Sequence, residues 1–350
     1  MNISTIGLDL AKQVFQVHGV DARGKVVLQK RLKRAEMAEF FANLPPCLIG
    51  MEACGTAHYW GRKLESFGHT VKLMAPRFVK PYLTGEKNDA NDAAAIYEAV
   101  TRPSMRFVPL KSAEQQALLV LHRTRAGLVH SRTAASNQVR GLLLEFGIAL
   151  KLGRREVMAK LPGILEDAEN GLPPVAREGL GIVYQHLKDL EQCIVQCEHA
   201  IIAWHRQSEA SQRLAAIPGI GVFSATALVA SVGDAEVFKN GRQFAAWLGL
   251  VPRQHSSGGR EHLSGISKRG DRYLRTLLIL GAQSKLRHRS PEEVPWIDRL
   301  LERRHKNVAA VALANKNARC VWALLAQKRT YQPGYVSTRP THGARAVTSV

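Results

Sequence analysis

The chain has 350 residues, 45% hydrophobic and 6% aromatic, which is too long for one small core and suits a soluble, helix-rich globular protein of two or three domains. Its 49 Lys+Arg against 29 Asp+Glu leave a net charge of +20, which points to a polyanionic partner because each neutralised phosphate releases counterions; a basic surface kept for solubility is the plainer account. No stretch nears the ~18 uninterrupted apolar residues of a membrane span, "MNISTIGLDLAKQVFQVHGV" lacks the basic n-region and apolar run of a secretory signal, and Cys47, Cys54, Cys193, Cys197 and Cys320, without disulfide or CxxC spacing, fit a reducing cytoplasm.

In chain order, Ile6, Leu8 and Leu10 alternate with Gly7 and Asp9, the period of a half-buried strand. "VFQVHGV" and "KVVLQKRL" predict two more strands joined across "DARG", so the chain opens as an antiparallel meander. "EMAEFFANL" predicts a helix, "CLIGME" a buried strand, "AHYWGRKLESFG" a helix closed by glycine and "HTVKLM" a further strand. Another helix starts within "GEKNDANDAAAIYEAV". Three strands followed by alternating helices and strands predict a mixed α/β sheet over residues 1–110.

Residues 111–210 read as purely helical. "AEQQALLVLHRTRAGLVHSRTAASNQVRGLLLEFG" predicts one long helix, with breaks expected at "LPG" near Leu161 and "GLPP" near Leu172. Leu180, Val183, Leu187, Leu190, Ile194, Cys197, Ile201 and Trp204 then recur at spacings of three and four, an a/d seam for a coiled coil or a long helical hairpin. Cys193 and Cys197 could bind zinc with His199, but core packing explains the pair more simply. Residues 211–328 hold "IPGIG", a helix "SATALVASVG", a Ser/Gly-rich loop and basic helices; between Arg253 and Arg329, seventeen Lys/Arg stand against six Asp/Glu. Residues 329–350 show no periodicity and are expected to form a disordered basic tail.

Four acids stand out in the first hundred residues. Asp9 ends the first strand, Glu52 ends a later one, and Asp89 and Asp92 lie three apart on one helix face. If the strands are neighbours and the helix packs across their ends, the four carboxylates converge, and such a group stays ionised only with divalent cations among it. Each also has an ordinary explanation: a turn for Asp9, a strand end for Glu52, an N-cap for Asp89 and a favourable helix dipole for Asp92. "GLDLAK", "MEACGTAHYW" and "KNDANDAAAI" together resemble the RuvC-like, DEDD-type domain of the insertion-sequence 110 family of transposases (the 1111-like subgroup). The likeness continues through "PGIG", "LGLVPRQHSSGG" and "ISKRGDRYLR", so it covers most of the chain. It implies an RNase H-like sheet, puts the family's four acids on Asp9, Glu52, Asp89 and Asp92, and implies Mg²⁺ or Mn²⁺ as cofactor. Many members carry Thr where Asn88 stands, which leaves the acids unchanged.

The Ser/Gly-rich stretch is flanked by Arg253, Arg260, Lys268, Arg269, Arg272 and Arg275, which suits phosphates held by backbone N–H groups and guanidinium forks; a solvated linker is the alternative. His255 lies two residues from Ser257, but no elbow motif marks a nucleophile. The family resemblance implies one at Ser257, with Ser256 as the adjacent alternative. It implies a phosphoseryl–DNA link formed while metal ions balance charge on phosphate. It further implies a homo-oligomer, dimer or tetramer, that joins the acidic domain of one subunit to the serine domain of another, and a structured guide RNA; the seam is the expected oligomer contact. "AAIPGIG" resembles half of a helix-hairpin-helix, with Gly219 and Gly221 letting backbone approach a phosphate. Tyr273 lacks the Arg…His-x-x-Arg…Tyr setting of a tyrosine recombinase. The expectation is a cytoplasmic, nucleoid-associated transposase acting on DNA at element ends and target. Its rivals are a RuvC-type junction-resolving nuclease using water and metal alone, and a non-enzymatic basic nucleic-acid-binding protein.

Overall fold

The computed structural model describes residues 2–86, 88–288, 295–333 and 335. The chain divides into two compact units, the first Met1–Gln207 with Thr226–Val237, the second Ser208–Ala225 with Phe238–Val350. Most of the tail expected from residue 329 lies outside the described residues.

The first unit is built on a six-stranded sheet of order β3-β2-β1-β4-β5-β6. Its strands are β1 (Thr5–Leu10), β2 (Val14–Val20), β3 (Val26–Lys33), β4 (Leu48–Glu52), β5 (Thr70–Met74) and β6 (Phe107–Val108). β1, β2 and β3 form the expected antiparallel meander, while β4 and β5 run parallel to β1. β6, antiparallel to β5, is a two-residue edge strand too short to register as a period.

Strand alternation sorts the side chains into two layers. Leu8, Phe15, Val17, Leu32, Ile49, Met51 and Leu73 form a core with Met37 and Phe41 of helix α1 (Met37–Ala42) and Trp60 and Leu64 of α2 (Ala57–Glu65). The chain then passes through α3 (Pro76–Val79) and a 3-10 turn, Lys80–Tyr82, into α4 (Asp89–Val100). On the other face Met74 and Val79 pack with Ala95, Ile96, Ala99 and Val100. Each fully buried aliphatic or aromatic side chain contributes about 1.5–3 kcal/mol, so both faces are secured.

Helix α5 (Ala113–Leu144) starts at a capping box in which Ser112 and Gln115 satisfy each other's backbone N–H groups. α6 (Arg154–Glu166) and α7 (Pro174–Gln207) follow. The break expected at "LPG" does not occur: Pro162 sits inside α6, whose Val157 and Leu161 are wholly buried against Ala135, Val139 and Leu143 of α5 and Leu180 and Leu187 of α7. That burial outweighs the backbone bond lost at proline. The chain turns instead at residues 145–153, where Gly147 and Gly153 have positive φ. The seam is buried within the chain at Leu180, Leu187, Leu190, Ile194, Cys197 and Ile201. Arg125 pairs with Glu198 at 2.6 Å and Arg132 with Glu191 at 2.7 Å; α7 steps back seven residues as α5 advances seven, so the two helices run antiparallel. Cys197 is core, but core packing does not hold for Cys193, which lies four residues away on the exposed side of α7; among the described residues no cysteine joins a metal-ligating cluster.

His122 of α5 is buried and shares a 3.0 Å hydrogen bond with Thr226 Oγ1. Burial, then the nearby Arg125, pushes its pKa down to about 4. The folded state resists a proton that the unfolded chain accepts at ordinary histidine pKa, so stability is full above about pH 6.5 and is lost as pH falls toward 4. The loss due to His122 is on the order of 3 kcal/mol. A His122→Gln variant, followed by thermal melting between pH 7 and 4, is expected to show a flatter profile than the parent.

The second unit contains α8 (Glu209–Ala215), the start of α9 (Val222–Val232), α10 (Gly241–Trp247), a hairpin of β7 (Pro252–Ser257) and β8 (Arg260–Ile266), α11 (Arg272–Arg287), α12 (Pro295–Leu301) and α13 (Lys306–Ala326). In its core α11 packs on α13, with Leu274, Leu278 and Ala282 of α11 and Ala310, Ala314 and Val321 of α13 buried. The stretch read as a loop is thus a β-ribbon. No helix of the described residues is long and apolar enough to cross a membrane.

Candidate active site

The acidic site begins with two glycines. Parallel pairing sets Gly7 beside Gly50 and Leu8 beside Met51. Leu8 and Met51 are wholly buried in the core, so Gly7, Gly50 and, one residue further on, Asp9 and Glu52 face the α4 side of the sheet. A Cβ at Gly7 would strike the Ala93 carbonyl oxygen and lie 2.6 Å from the Tyr97 nitrogen, and one at Gly50 would lie 2.8 Å from Val100 Cβ. Glycine here lets α4 lie directly on the sheet. Gly7→Ala is expected to cost roughly 1–3 kcal/mol through overpacking, measured as a lower melting temperature.

That close approach brings the first turn of α4 over the C-terminal ends of β1 and β4, where open α/β sheets bind ligands. The helix is capped by Asn88, whose side chain accepts from Asn91 N–H at 2.8 Å, while Asn91 Nδ2 donates to Glu86 O at 2.8 Å. Asp89 is therefore not the cap, although it stands with Asp92 in the first turn, where the helix dipole favours an acid. One carboxylate oxygen from each of Asp9, Asp89 and Asp92 lies within 4.8 Å of the others; Asp9 and Asp92 are half-buried and Asp89 exposed. Two charges at that separation repel by about 3–4 kcal/mol at an effective dielectric near 20. Three hard, converging oxygens are the donor set that Mg²⁺ or Mn²⁺ takes. Glu52 stands on the same face, one strand from Asp9, but its carboxylate is not a member of this 4.8 Å set.

In the second unit, Ser257-Gly258-Gly259-Arg260 closes the ribbon as a two-residue turn with φ of 55° and 75° at the glycines, the conformation that matches strand twist. Directly opposed residues share a face. Ser257 with Arg260 and His255 with His262 therefore occupy one face, and Ser256 with Glu261 and Gln254 with Leu263 the other. Ser256 Oγ accepts from Gln254 Nε2 at 2.9 Å. His262 was not singled out in the sequence, because only strand register brings it beside His255. Arg253, Arg260, Lys268, Arg269 and Arg272 are exposed. Arg275 is partly committed, donating to Leu248 O at 3.2 Å, and Asp271 caps α11 by accepting from Leu274 N–H at 3.1 Å. Gly219 has a packing role: a Cβ on Gly281 would run into its carbonyl oxygen, and Asn317 Nδ2 donates to Pro218 O at 2.9 Å. Gly221 is exposed with open space beside it.

Comparison with known proteins fits both units. A family model described as Transposase, for the DEDD type of IS110 elements, matches residues 6–148, and one described as Transposase IS116/IS110/IS902 family matches residues 211–294. A probable family 20 transposase of Pseudomonas aeruginosa is 56% identical over 338 residues, covering 95% of this chain and 100% of the relative. The chain belongs to the IS110 family of transposases. The transposase for insertion sequence element IS1111A of Coxiella burnetii is 45% identical over 336 residues (95% of this chain, 92% of the relative), and that for IS1328 of Yersinia enterocolitica 42% over 329 residues (93% and 98%). This transposase is therefore a DNA-acting enzyme of an insertion sequence, as the resemblance implied.

Proposed function

We propose that this transposase cuts and rejoins DNA strands with two chemical devices, a divalent-metal site on Asp9, Asp89 and Asp92 with Glu52 as fourth ligand, and a nucleophile at Ser257. The convergence of three carboxylates from β1 and α4 carries the reading. It is supported by the strand order β3-β2-β1-β4-β5 with an antiparallel meander followed by parallel strands, the arrangement expected of an RNase H-like, RuvC-like domain. Mg²⁺ or Mn²⁺ held there would polarise phosphate oxygens and offset the charge that develops on them. The protein's share is to hold the three acids on rigid elements against their mutual repulsion.

Ser257 is the better of the two serines. Arg260 beside it suits a phosphate, whereas Ser256 faces the carboxylate of Glu261, which repels one. Attack by Ser257 Oγ on phosphorus forms a phosphoseryl link and expels a deoxyribose oxygen as the leaving group; the serine proton passes to a base, and His255 on the same face is the nearest imidazole in sequence. Arg253, Arg260, Lys268, Arg269 and Arg272 position the backbone, with Gly221 at the start of α9 as a further approach point. A homo-oligomer that brings the acids of one subunit to the serine of another, and a structured guide RNA, complete the proposal; the +20 charge is compatible with both nucleic acids.

A labelled duplex carrying the flanks of the gene tests the metal. Cleavage is expected with Mg²⁺ or Mn²⁺ and none with chelator; cleavage undiminished by chelation would overturn the metal reading.

A further inference from the structure

The sheet face that carries Asp9 does not end at the acids. Asp9 pairs across the ladder with Gln16, and Gln16 with Arg31; one row further toward the same end, Val14 pairs with Lys33. Directly paired residues share a face, so Glu52, Asp9, Gln16 and Arg31 form one row across β4, β1, β2 and β3, with Lys33 beside it. Neighbouring strands lie about 4.8 Å apart, which places Arg31 some 10 Å from Asp9 along the row.

The two sides of the acids differ. Toward β5 the next position in the row is Met74, paired with Glu52 and buried under Val79, Ile96 and Val100. Toward β3 the face is open: α4 packs on β1, β2 and β4, Gln16 is half-buried, and Gln29, Arg31 and Lys33 are exposed. On that face β2 and β3 present Val14, Gln16, His18, Gln29, Arg31 and Lys33, with no acid among them. Glu36, three residues beyond Lys33, uses its carboxylate to accept the Lys33 backbone N–H at 2.7 Å. Along the row the exposed direction from the acids leads over Gln16 to β3, and two cations stand on it.

We infer that Arg31 and Lys33, with Gln16 between them and Asp9, form a phosphate-holding track for the DNA strand being cut. The track rests on the reading of the acids as the DNA-cleaving metal site. Arg31 acts as a fork on one flanking phosphate and Lys33 as a point charge on the next, while Gln16 offers an amide donor nearest the acids. These are positioning residues: they hold the strand in register and carry no base preference. Charged residues on an edge strand also discourage aggregation, and that role alone would leave DNA binding unchanged on their removal.

The test compares two double variants of the full chain, each lacking two exposed cations of the β2–β3 hairpin. Arg31→Ala with Lys33→Ala alters the track; Arg23→Ala with Lys25→Ala alters the turn at the hairpin's other end. On the gene-flank duplex, the track variant is expected to bind roughly tenfold more weakly and to lower the salt slope by about 1.4–1.8. Cleavage in Mg²⁺ should fall at least as far, with the melting temperature unchanged. The turn variant should match the parent, and exchanging the cations (Arg31→Lys with Lys33→Arg) should restore most of the binding. Equal losses in both doubles, or lost RNA binding with DNA binding and cleavage intact, would overturn the track. Asp9→Asn run alongside separates the failures. Cleavage lost in Asp9→Asn but intact in the track variant sinks this inference alone; cleavage intact in Asp9→Asn sinks the metal-site reading and the track with it.

Discussion

Ser257→Ala is expected to abolish both strand cleavage and any protein–DNA adduct that survives denaturation, while Ser256→Ala keeps both. Loss of an attacking nucleophile lowers a rate by a factor on the order of 10³–10⁶, so labelled DNA resolved under denaturing conditions should show an all-or-none difference. The contrast between neighbouring serines follows from the ribbon's pleat. Ser257 shares its face with Arg260, His255 and His262, whereas Ser256 lies among Gln254, Glu261 and Leu263. Cleavage that persists in Ser257→Ala without an adduct in the parent would favour attack by water alone, as in a junction-resolving nuclease.

Replacing the acids should be as severe and should leave a second mark. Asp9→Asn and Asp92→Asn keep side-chain shape and remove the charge that would hold a cation in the proposed site, so cleavage in Mg²⁺ should fall by about 10³ or more. Without metal the same changes relieve repulsion among carboxylates within 4.8 Å of one another. In chelator, Asp92→Asn should therefore melt higher than the parent, and the rise that Mg²⁺ gives the parent should be absent. Glu52→Gln is expected to lose cleavage with them; retained activity would reduce the ligand set to the three aspartates. An unchanged melting temperature and full activity in all three variants would remove the metal site.

Much of the first unit was legible in the chain because its strands alternate and its faces are clean. The period of two from Ile6 to Leu10, the "DARG" turn and the glycine after α2 each state a local preference that the packing keeps. Asp9, Asp89 and Asp92 could be named as candidates from residue type, but their convergence depends on Gly7 and Gly50, which read in sequence as weak strand residues rather than as the seat of a helix. Pro162 misled for the opposite reason, since the usual penalty for proline is local and the burial of Leu161 is not. The Ser/Gly-rich stretch hid a ribbon because exposed strands on a basic hairpin carry no apolar alternation. Gly219 looked like a phosphate-approach residue, yet its contact with Gly281 lies 62 positions away in the chain, beyond any window of periodicity.

The ribbon at Ser257 has a consequence of its own. All six residues of β7 are exposed and most of β8 is too, and a two-stranded hairpin without cover is at best marginally stable in water. Ser257 consequently gains a fixed aim only when something packs against the ribbon, and under the proposed chemistry the natural candidate is the strand to be joined. A nucleophile placed there would be ordered by its own substrate, which would restrain nicking away from the target.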